Sequence, residues 1–250
     1  MCDTLLITGS TGIAAAVALQ ASALDISIVI AGIDTQSVRA LASQCCAVGV
    51  VVDLQSECGV DKLFATHPEI TQVIHVAGGS GRPFGDGALM DVSLPAWQAT
   101  FKLNLDASFL VTRAAIKLWM EKSEKGSVVL TGSVLAEFPE PDHFAAAAYM
   151  SSKSALIGLV KHAASVYAEH GIRVNAVVPG LTRTPMSNRA QENEKICAFV
   201  KRRQPLTGGF IEPNQVADAL LFLSSHRASA ITGQLLNVDG GWSLGGKQYD

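Results

Sequence analysis

The chain has 250 residues, of which 48% are hydrophobic and 16% charged, and its formal net charge is −3. This length and apolar content predict one globular domain, residues 1–250, with a large core. The slight excess of acid argues against a nucleic-acid or polyanion binder. No apolar run reaches the roughly 20 residues of a membrane span, so we expect no membrane partner.

The cysteines predict a reducing environment. They are odd in number and show no CxxC or Cys/His ligand spacing, so we expect free thiols and no metal site. Residues 1–3 carry no basic leader and run straight into an apolar segment, which favours a cytoplasmic protein. The five cysteines are Cys2, Cys45, Cys46, Cys58 and Cys197.

The chain opens with a pattern typical of nucleotide binding. The apolar run Thr4–Ile7 leads into the glycine turn Thr8–Gly12, an alanine-rich stretch Ile13–Leu19 and a second apolar run Ile26–Ala31. This order predicts strand, turn, helix and strand. A glycine turn at a helix N-terminus offers free N–H groups to a pyrophosphate, although a purely structural turn would have the same pattern.

Alternating strands and helices continue to the C-terminus. Continuous Val/Ile/Leu runs indicate strands buried on both faces, so we predict an α/β fold: a doubly wound, mostly parallel, Rossmann-like sheet in three layers and a single domain. Ligands of such sheets bind beyond the carboxyl ends of the strands. The later strands are predicted at Ala47–Val52, Gln72–Val76, Ser127–Leu130, Arg173–Val178 and Gln234–Val238, and the later helices near 36–44, 96–122, 145–169 and 213–224.

Tyr149 and Lys153 form the most informative pair. They are four residues apart in a predicted helix, so they share one face about one turn apart. A nearby ammonium favours the phenolate, and we expect it to bring the tyrosine pKa down from roughly 10 toward neutrality. The pair would then suit proton transfer to or from an alcohol or carbonyl. The same spacing also occurs on ordinary amphipathic helices.

Several motifs, in this order and at this spacing, resemble the short-chain dehydrogenase/reductase family over nearly the whole chain. The resemblance implies NAD(P)-dependent oxidation of an alcohol or reduction of a ketone. The matching segments are Thr8–Ala14, Asp53–Leu54, Val76–Gly79, Asn104–Leu105, Thr131–Ser133, Tyr149–Lys153, Arg173–Gly180, and Ile231–Gly233 through Asp239–Gly241.

The resemblance also implies roles for individual residues. Tyr149 would be the general acid in reduction and the general base in oxidation, and Lys153 would lower its pKa and hold the nicotinamide ribose. Ser133 would hydrogen-bond the substrate oxygen, and Asn104 would anchor a water relay to Lys153. The implied cofactor contacts are Gly9, Thr11, Gly12, Ile13, Asp34, Asp53, Leu54, Ala77, Gly78, Tyr149, Lys153, Pro179, Gly180, Thr182 and Thr184.

The choice between NAD and NADP depends on Asp34. An acid about 20 residues past the glycines accepts hydrogen bonds from the adenosine ribose and repels a 2′-phosphate. Asp34 lies near that distance, and neither the glycine turn nor residues 32–33 carry the Arg or Lys that a 2′-phosphate would need. We therefore favour NAD over NADP.

Three departures from the family pattern bear on the site. The glycine turn is one residue shorter than usual, with Ala14 in place of its last glycine, which puts cofactor affinity in question. The segment His75–Gly78 lacks the asparagine pair that is usual there in the family, and we expect His75 to be a strand residue rather than a catalytic one. The span to Tyr149 is longer than usual, and its extra residues 137–144 should form a loop beside the substrate.

Other assignments remain open at this point. A lyase or epimerase using NAD transiently, or a non-catalytic dinucleotide-binding protein, would share this fold; net production of NADH with an alcohol would separate them. Segment 182–210 is interpreted as a mobile lid, with a plain surface pair of helices as the alternative. Arg82, in a glycine-rich stretch near the expected cofactor edge, could attract an anionic substrate, but the sequence does not assign it that role. By resemblance we expect a homo-oligomer, a tetramer or dimer, that acts on a small molecule.

Overall fold

The computed structural model describes residues 3–24 and 26–245. Its strands form one sheet of order β3-β2-β1-β4-β5-β6-β7, and every pairing is parallel. The order reverses between β1 and β4, which is where doubly wound sheets bind ligands. The predicted α/β, Rossmann-like fold is confirmed. The strands are β1 (Thr4–Thr8), β2 (Ser27–Gly32), β3 (Val48–Val51), β4 (Gln72–His75), β5 (Gly126–Thr131), β6 (Ile172–Pro179) and β7 (Leu235–Val238).

Helices cover both faces of the sheet and give the three predicted layers. They are α1 (Ile13–Ala21), α2 (Thr35–Gln44), α3 (Glu57–Thr66), α4 (Leu94–Phe101), α5 (Ala107–Lys122), α6 (Pro141–Phe144), α7 (Ala147–Tyr167), α8 (Asn188–Gln191), α9 (Glu194–Arg203) and α10 (Pro213–Ser224). One core cluster joins the sheet to α3, α5 and α7, and another joins it to α1, α2 and α10.

Alternation along the strands creates these two cores. On β1, Leu6 faces the α3/α5/α7 layer, whereas Leu5 and Ile7 face the opposite layer. All three side chains are fully buried. Each buried side chain of this size contributes about 1.5–3 kcal/mol of transfer free energy, so the continuous apolar runs are explained by burial on both faces.

The helices differ in detail from the sequence prediction. The helix expected over 96–122 is divided into α4 and α5 by a π-helical turn, Lys102–Asp106. The predicted loop 137–144 ends in the short helix α6, and α3 was not predicted. A local signal for α3 exists, since the Ser56 Oγ accepts a hydrogen bond from the Gly59 N–H at its N-terminus (3.2 Å).

Other expectations concern thiols, metals and membranes. Cys45, Cys46, Cys58 and Cys197 are free, and Cys2 lies outside the described residues. Within residues 3–24 and 26–245, no cluster of three or more His, Cys, Asp or Glu side chains could ligate a metal. In the same ranges, no helix combines the length and apolarity needed to cross a bilayer.

Candidate active site

A cleft of about 310 Å³ opens at the carboxyl ends of β1, β4, β5 and β6. It lies at the point where the strand order reverses, as expected for a doubly wound sheet. Thirteen of the residues predicted for the site line this cleft: Gly9, Thr11, Gly12, Ile13, Ala77, Gly78, Ser133, Tyr149, Lys153, Pro179, Gly180, Thr182 and Thr184. Asn104, Asp34, Asp53 and Leu54 do not.

The glycine turn leaves the N-terminus of α1 open toward the cleft. Gly9 and Gly12 have φ angles of 95° and 55°, which other residues rarely adopt. Helices α2, α3 and α4 each have a side-chain cap, but α1 has none. A Cβ on Gly12 would lie 3.0 Å from Thr184 Cγ2, so a larger residue would narrow the cleft. An uncapped helix N-terminus beside glycine fits a pyrophosphate.

Ala14, the residue that departs from the family pattern, lies in the core and also lines the cleft. It is almost fully buried in the α1/α2/α10 cluster. Its methyl group lies 3.2 Å from the point where a Cβ on Gly9 would stand. The alanine therefore packs against a glycine whose missing side chain makes room for it, and the short turn retains its open backbone.

Tyr149, Lys153 and Ser133 meet in the centre of the cleft. Helix α7 carries the tyrosine and the lysine, and Ser133 follows β5. The Lys153 Nζ donates to the Thr131 carbonyl at the end of β5 (2.8 Å) and lies 5.9 Å from the centre of the Tyr149 ring. The predicted helical pair is therefore brought against the strand end that carries the serine.

Burial has the largest effect on the pKa values of both Tyr149 and Lys153. It raises the pKa of Tyr149 above its ordinary value, and a hydrogen bond with Ser133 offsets only part of that effect. Burial also lowers the pKa of Lys153 to about 8. The expected net lowering of the Tyr149 pKa is therefore wrong in direction for this geometry, because desolvation of the phenolate is the largest effect on that pKa. At neutral pH the phenol keeps its proton.

Asn104 lies behind the cleft, in the π-helical turn. Its side chain accepts from the Gly79 N–H (3.1 Å) and donates to the Gly79 carbonyl (3.0 Å), which ties the turn to the segment after β4. A Cβ placed on Gly78 would lie 2.8 Å from Asn104 Oδ1 and 3.6 Å from Lys153 Nζ. Glycine at position 78 therefore leaves room for the Asn104 amide and the Lys153 ammonium, which a side chain at this position would crowd.

Comparison with known proteins agrees with this geometry. A family model described as enoyl-(acyl carrier protein) reductase matches residues 7–243. The chain is 36% identical over 182 residues to a 2,5-dichloro-2,5-cyclohexadiene-1,4-diol dehydrogenase of Sphingobium indicum, covering 70% of this chain and 71% of the relative. The chain belongs to the short-chain dehydrogenase/reductase family.

Solved structures of this family superpose closely. A short-chain dehydrogenase/reductase from Mycobacterium ulcerans gives a TM-score of 0.89 at 29% identity, covering 97% of this chain and 90% of the other. A 2-deoxy-D-gluconate 3-dehydrogenase homologue from Agrobacterium tumefaciens, solved with NADP, gives 0.87 at 25% identity and covers 97% of both chains. The protein is a nicotinamide-dependent oxidoreductase of alcohols or ketones.

In this short-chain dehydrogenase/reductase, His75 is a buried residue at the end of β4, as expected. The Thr8 Oγ1 accepts from the N–H groups of Val76 and Ala77, so its own hydrogen is directed to His75 Nδ1 (2.9 Å). Burial, with a further contribution from the positive charge of Lys153, lowers the histidine pKa to about 3. His75 is therefore neutral at physiological pH.

Asp86 is a residue that the sequence interpretation missed. It is buried in the segment after β4, and its two carboxylate oxygens accept the backbone N–H groups of Ala148 and Tyr149, each at 2.9 Å. Helix α7 has no side-chain cap of its own. Asp86 therefore caps α7, although it precedes the two N–H groups by 62 and 63 residues in sequence. This contact fixes the end of the helix that carries Tyr149.

We expect Asp86→Ala to lower both stability and turnover. The substitution leaves one buried and one partly buried N–H group without acceptors, which should reduce the free energy of unfolding by about 3 kcal/mol. It also frees the Tyr149 end of α7, so kcat should fall while dinucleotide affinity changes little. Urea unfolding and steady-state kinetics measure both effects. Asp91→Ala, at an exposed acid of the same segment, is the control; unchanged kcat in a folded Asp86→Ala protein would contradict the assignment.

Three of the predicted cofactor residues lie outside the cleft. Asp34 is exposed and caps α2 by accepting from the Ser37 N–H (2.8 Å). The hydrogen bond from the Ser37 hydroxyl, and then the one from its N–H, lower the pKa of Asp34. Ser37 Oγ in turn hydrogen-bonds Ser10 Oγ of the glycine turn (2.8 Å). Asp53 Oδ1 accepts from the Gln55 N–H (2.9 Å), and Leu54 is 6% exposed within the core.

Proposed function

We propose that Tyr149, Lys153, Ser133 and Asn104 form the catalytic group of an NAD-dependent secondary-alcohol dehydrogenase or ketone reductase. The observation that carries the proposal is that a phenol, an ammonium and a hydroxyl meet in one cleft with the uncapped, glycine-lined N-terminus of α1. A nicotinamide dinucleotide bound there supplies or accepts the hydride.

Each side chain has a distinct task in this proposal. The protonated Tyr149 gives its proton to a carbonyl oxygen during reduction and takes one back during oxidation. Ser133 donates a hydrogen bond to the same oxygen, where negative charge develops. Lys153 keeps a positive charge beside the phenol, and Asn104 fixes the segment after β4 against the lysine.

For the dinucleotide, we propose that the glycine turn receives the pyrophosphate and that Pro179, Gly180, Thr182 and Thr184 border the nicotinamide. The cleft lining supports these placements. Asp34 stands at the end of β2 and is linked to the turn through Ser37 and Ser10. We propose that its carboxylate receives the adenosine ribose and disfavours a 2′-phosphate, with Asp53 and Leu54 beside the adenine.

The choice of NAD is tested by replacing Asp34. We expect Asp34→Asn to raise the affinity for NADP relative to NAD by about fivefold, the size of one surface charge interaction. Asparagine caps a helix as well as aspartate, so α2 should remain intact. Asp34→Ala, which removes both cap and charge, should weaken NAD more than NADP. Calorimetric titration of both dinucleotides measures the ratio; equal changes would remove Asp34 from the site.

The substrate is best sought among secondary alcohols and their ketones, including cyclic ones such as those named for the Sphingobium indicum relative. We propose that the protein works in the cytoplasm as a tetramer or dimer. The test is a fluorescence screen for NADH over cyclic alcohols, polyols, hydroxy acids and steroids. Net NADH formation supports a dehydrogenase; substrate conversion without net NADH would favour a lyase or epimerase, and an inert protein a binding role.

A further inference from the structure

The charged side chains that line the cleft all carry the same sign. They are Arg82, Lys153 and Arg189, and no aspartate or glutamate joins them in the part of the chain that the structure describes. The whole chain has a net charge of −3, so its overall composition does not account for a basic cleft. Lys153 donates a hydrogen bond to the Thr131 carbonyl (2.8 Å). The fold and the proposed chemistry give no role to the other two cations, the guanidinium groups of Arg82 and Arg189.

The two arginines come from different chain segments. Arg82 is on the segment that follows β4, and Arg189 is on α8, in the segment that follows β6. Strand β5, which leads into Ser133, lies between those two strands in the sheet. Both arginines and Ser133 line the same cleft.

Neither guanidinium has a carboxylate partner among the described ion pairs. Arg189 Nη2 donates to the His143 carbonyl (3.0 Å), which holds it beside the cleft. Partial burial and then the positive charge of Arg189 lower the pKa of Arg82. Asp86 acts in the opposite direction, but both its oxygens already accept backbone N–H groups of α7.

The rest of the cleft wall is apolar and aromatic. Leu135, Phe144, Met186 and Trp242 line it. The Nε1–H of Trp242 has no hydrogen-bond acceptor among the described residues, although this side chain is almost fully buried. The cleft thus combines an apolar wall with hydrogen-bond donors that lack acceptors.

We propose that the substrate is an oxo or hydroxy compound with an anionic group, a carboxylate or a phosphate, that Arg82 and Arg189 bind while its apolar part contacts the Phe144 and Trp242 wall. This inference rests on the proposed function and names the substrate class of the same cleft. Arginine binds both anions through paired N–H donors.

Direct binding to the NADH-saturated protein tests the proposal. The probes are pyruvate, levulinate and 4-acetylbenzoate, each against its methyl ester, and dihydroxyacetone phosphate against dihydroxyacetone. We expect at least one anion to bind about tenfold or more tightly than its neutral partner. The three carboxylates differ in the distance between the carboxylate and the carbonyl, so their relative affinities give the spacing that the cleft prefers. The dihydroxyacetone pair shows whether the cleft prefers a phosphate or a carboxylate.

Substitution of Arg82 and Arg189 tests whether these residues cause the preference for anionic over neutral probes. Arg82→Gln with Arg189→Gln should abolish the preference for the anion and change NADH affinity less than about threefold, whereas the double lysine variant should keep most of it. Arg183→Gln is the matched control, since Arg183 pairs with Glu212 (2.9 Å) outside the cleft.

Equal binding of anions and neutral partners, or binding of neither, would overturn the proposal, as would a loss of NADH affinity in the glutamine variants. Anion-selective binding without any hydride transfer would instead contradict the proposed function alone.

Discussion

Tyr149→Phe should lower turnover at least about a hundredfold, the usual size of an acid–base contribution. Phenylalanine keeps the ring in place and removes only the hydroxyl that would exchange a proton with the substrate. Dinucleotide affinity should stay near the wild-type value, because most of the proposed dinucleotide contacts are in the glycine turn and in the segment after β6, both of which line the cleft. Single-turnover kinetics and calorimetric titration give the two quantities separately.

Tyr167→Phe is the matched control for this substitution. Tyr167 ends the same helix and packs against the core away from the cleft, so its variant should retain full turnover. A loss below about tenfold in Tyr149→Phe would count against the tyrosine as the proton donor.

The pH profile gives a second readout of Tyr149. Since burial raises its pKa above the ordinary value, the phenol is protonated at neutral pH and ready to donate a proton in reduction. Oxidation needs the deprotonated form, so its rate should rise with pH in the alkaline range. That rise should be absent from any residual activity of the phenylalanine variant.

Lys153→Met should also reduce turnover by about a hundredfold, since it removes the ammonium held beside the phenol. Methionine fills similar space but cannot donate to the Thr131 carbonyl, which the lysine reaches at 2.8 Å. The proposed contact with the nicotinamide ribose would be lost as well. We therefore expect the dinucleotide Kd to rise, which distinguishes this variant from Tyr149→Phe.

Lys161→Met provides a control on the same helix. Lys161 donates to the Gly233 carbonyl at 2.6 Å, a contact of the same kind outside the cleft. Its variant loses a lysine-to-carbonyl hydrogen bond without losing charge from the site, so kcat should stay within about threefold of wild type, as for most surface changes. Similar losses in the two variants would mean that Lys153 acts only through helix stability.

The fold was predictable because its signals are local. Uninterrupted Val/Ile/Leu runs between glycine turns arise from strands that are buried on both faces, as Leu5 and Leu6 show. Spacing along one helix likewise placed Tyr149 and Lys153 on a common face. In both cases, neighbouring residues carry the information.

The remaining features depend on distant partners. Asp86 meets the N-terminus of α7 across 62 residues, and no local pattern marks it. Lys153 donates to a backbone carbonyl. Since every residue has such an acceptor, the sequence does not show which one the lysine contacts. The direction of the Tyr149 pKa shift depends on how deeply the phenol is buried, and burial is known only once the layers are assembled. The π-helical turn around Asn104 is likewise too small a change to disturb the helical period of the sequence.

A crystal structure with bound NADH and a ketone-like inhibitor would test the central claim most directly. We predict the dinucleotide in the strand-end cleft, with its pyrophosphate at the N-terminus of α1. Tyr149 Oη and Ser133 Oγ should both lie within about 3 Å of the inhibitor oxygen, next to the nicotinamide C4. A phenol directed away from the nicotinamide, or a dinucleotide bound outside the cleft, would contradict the account.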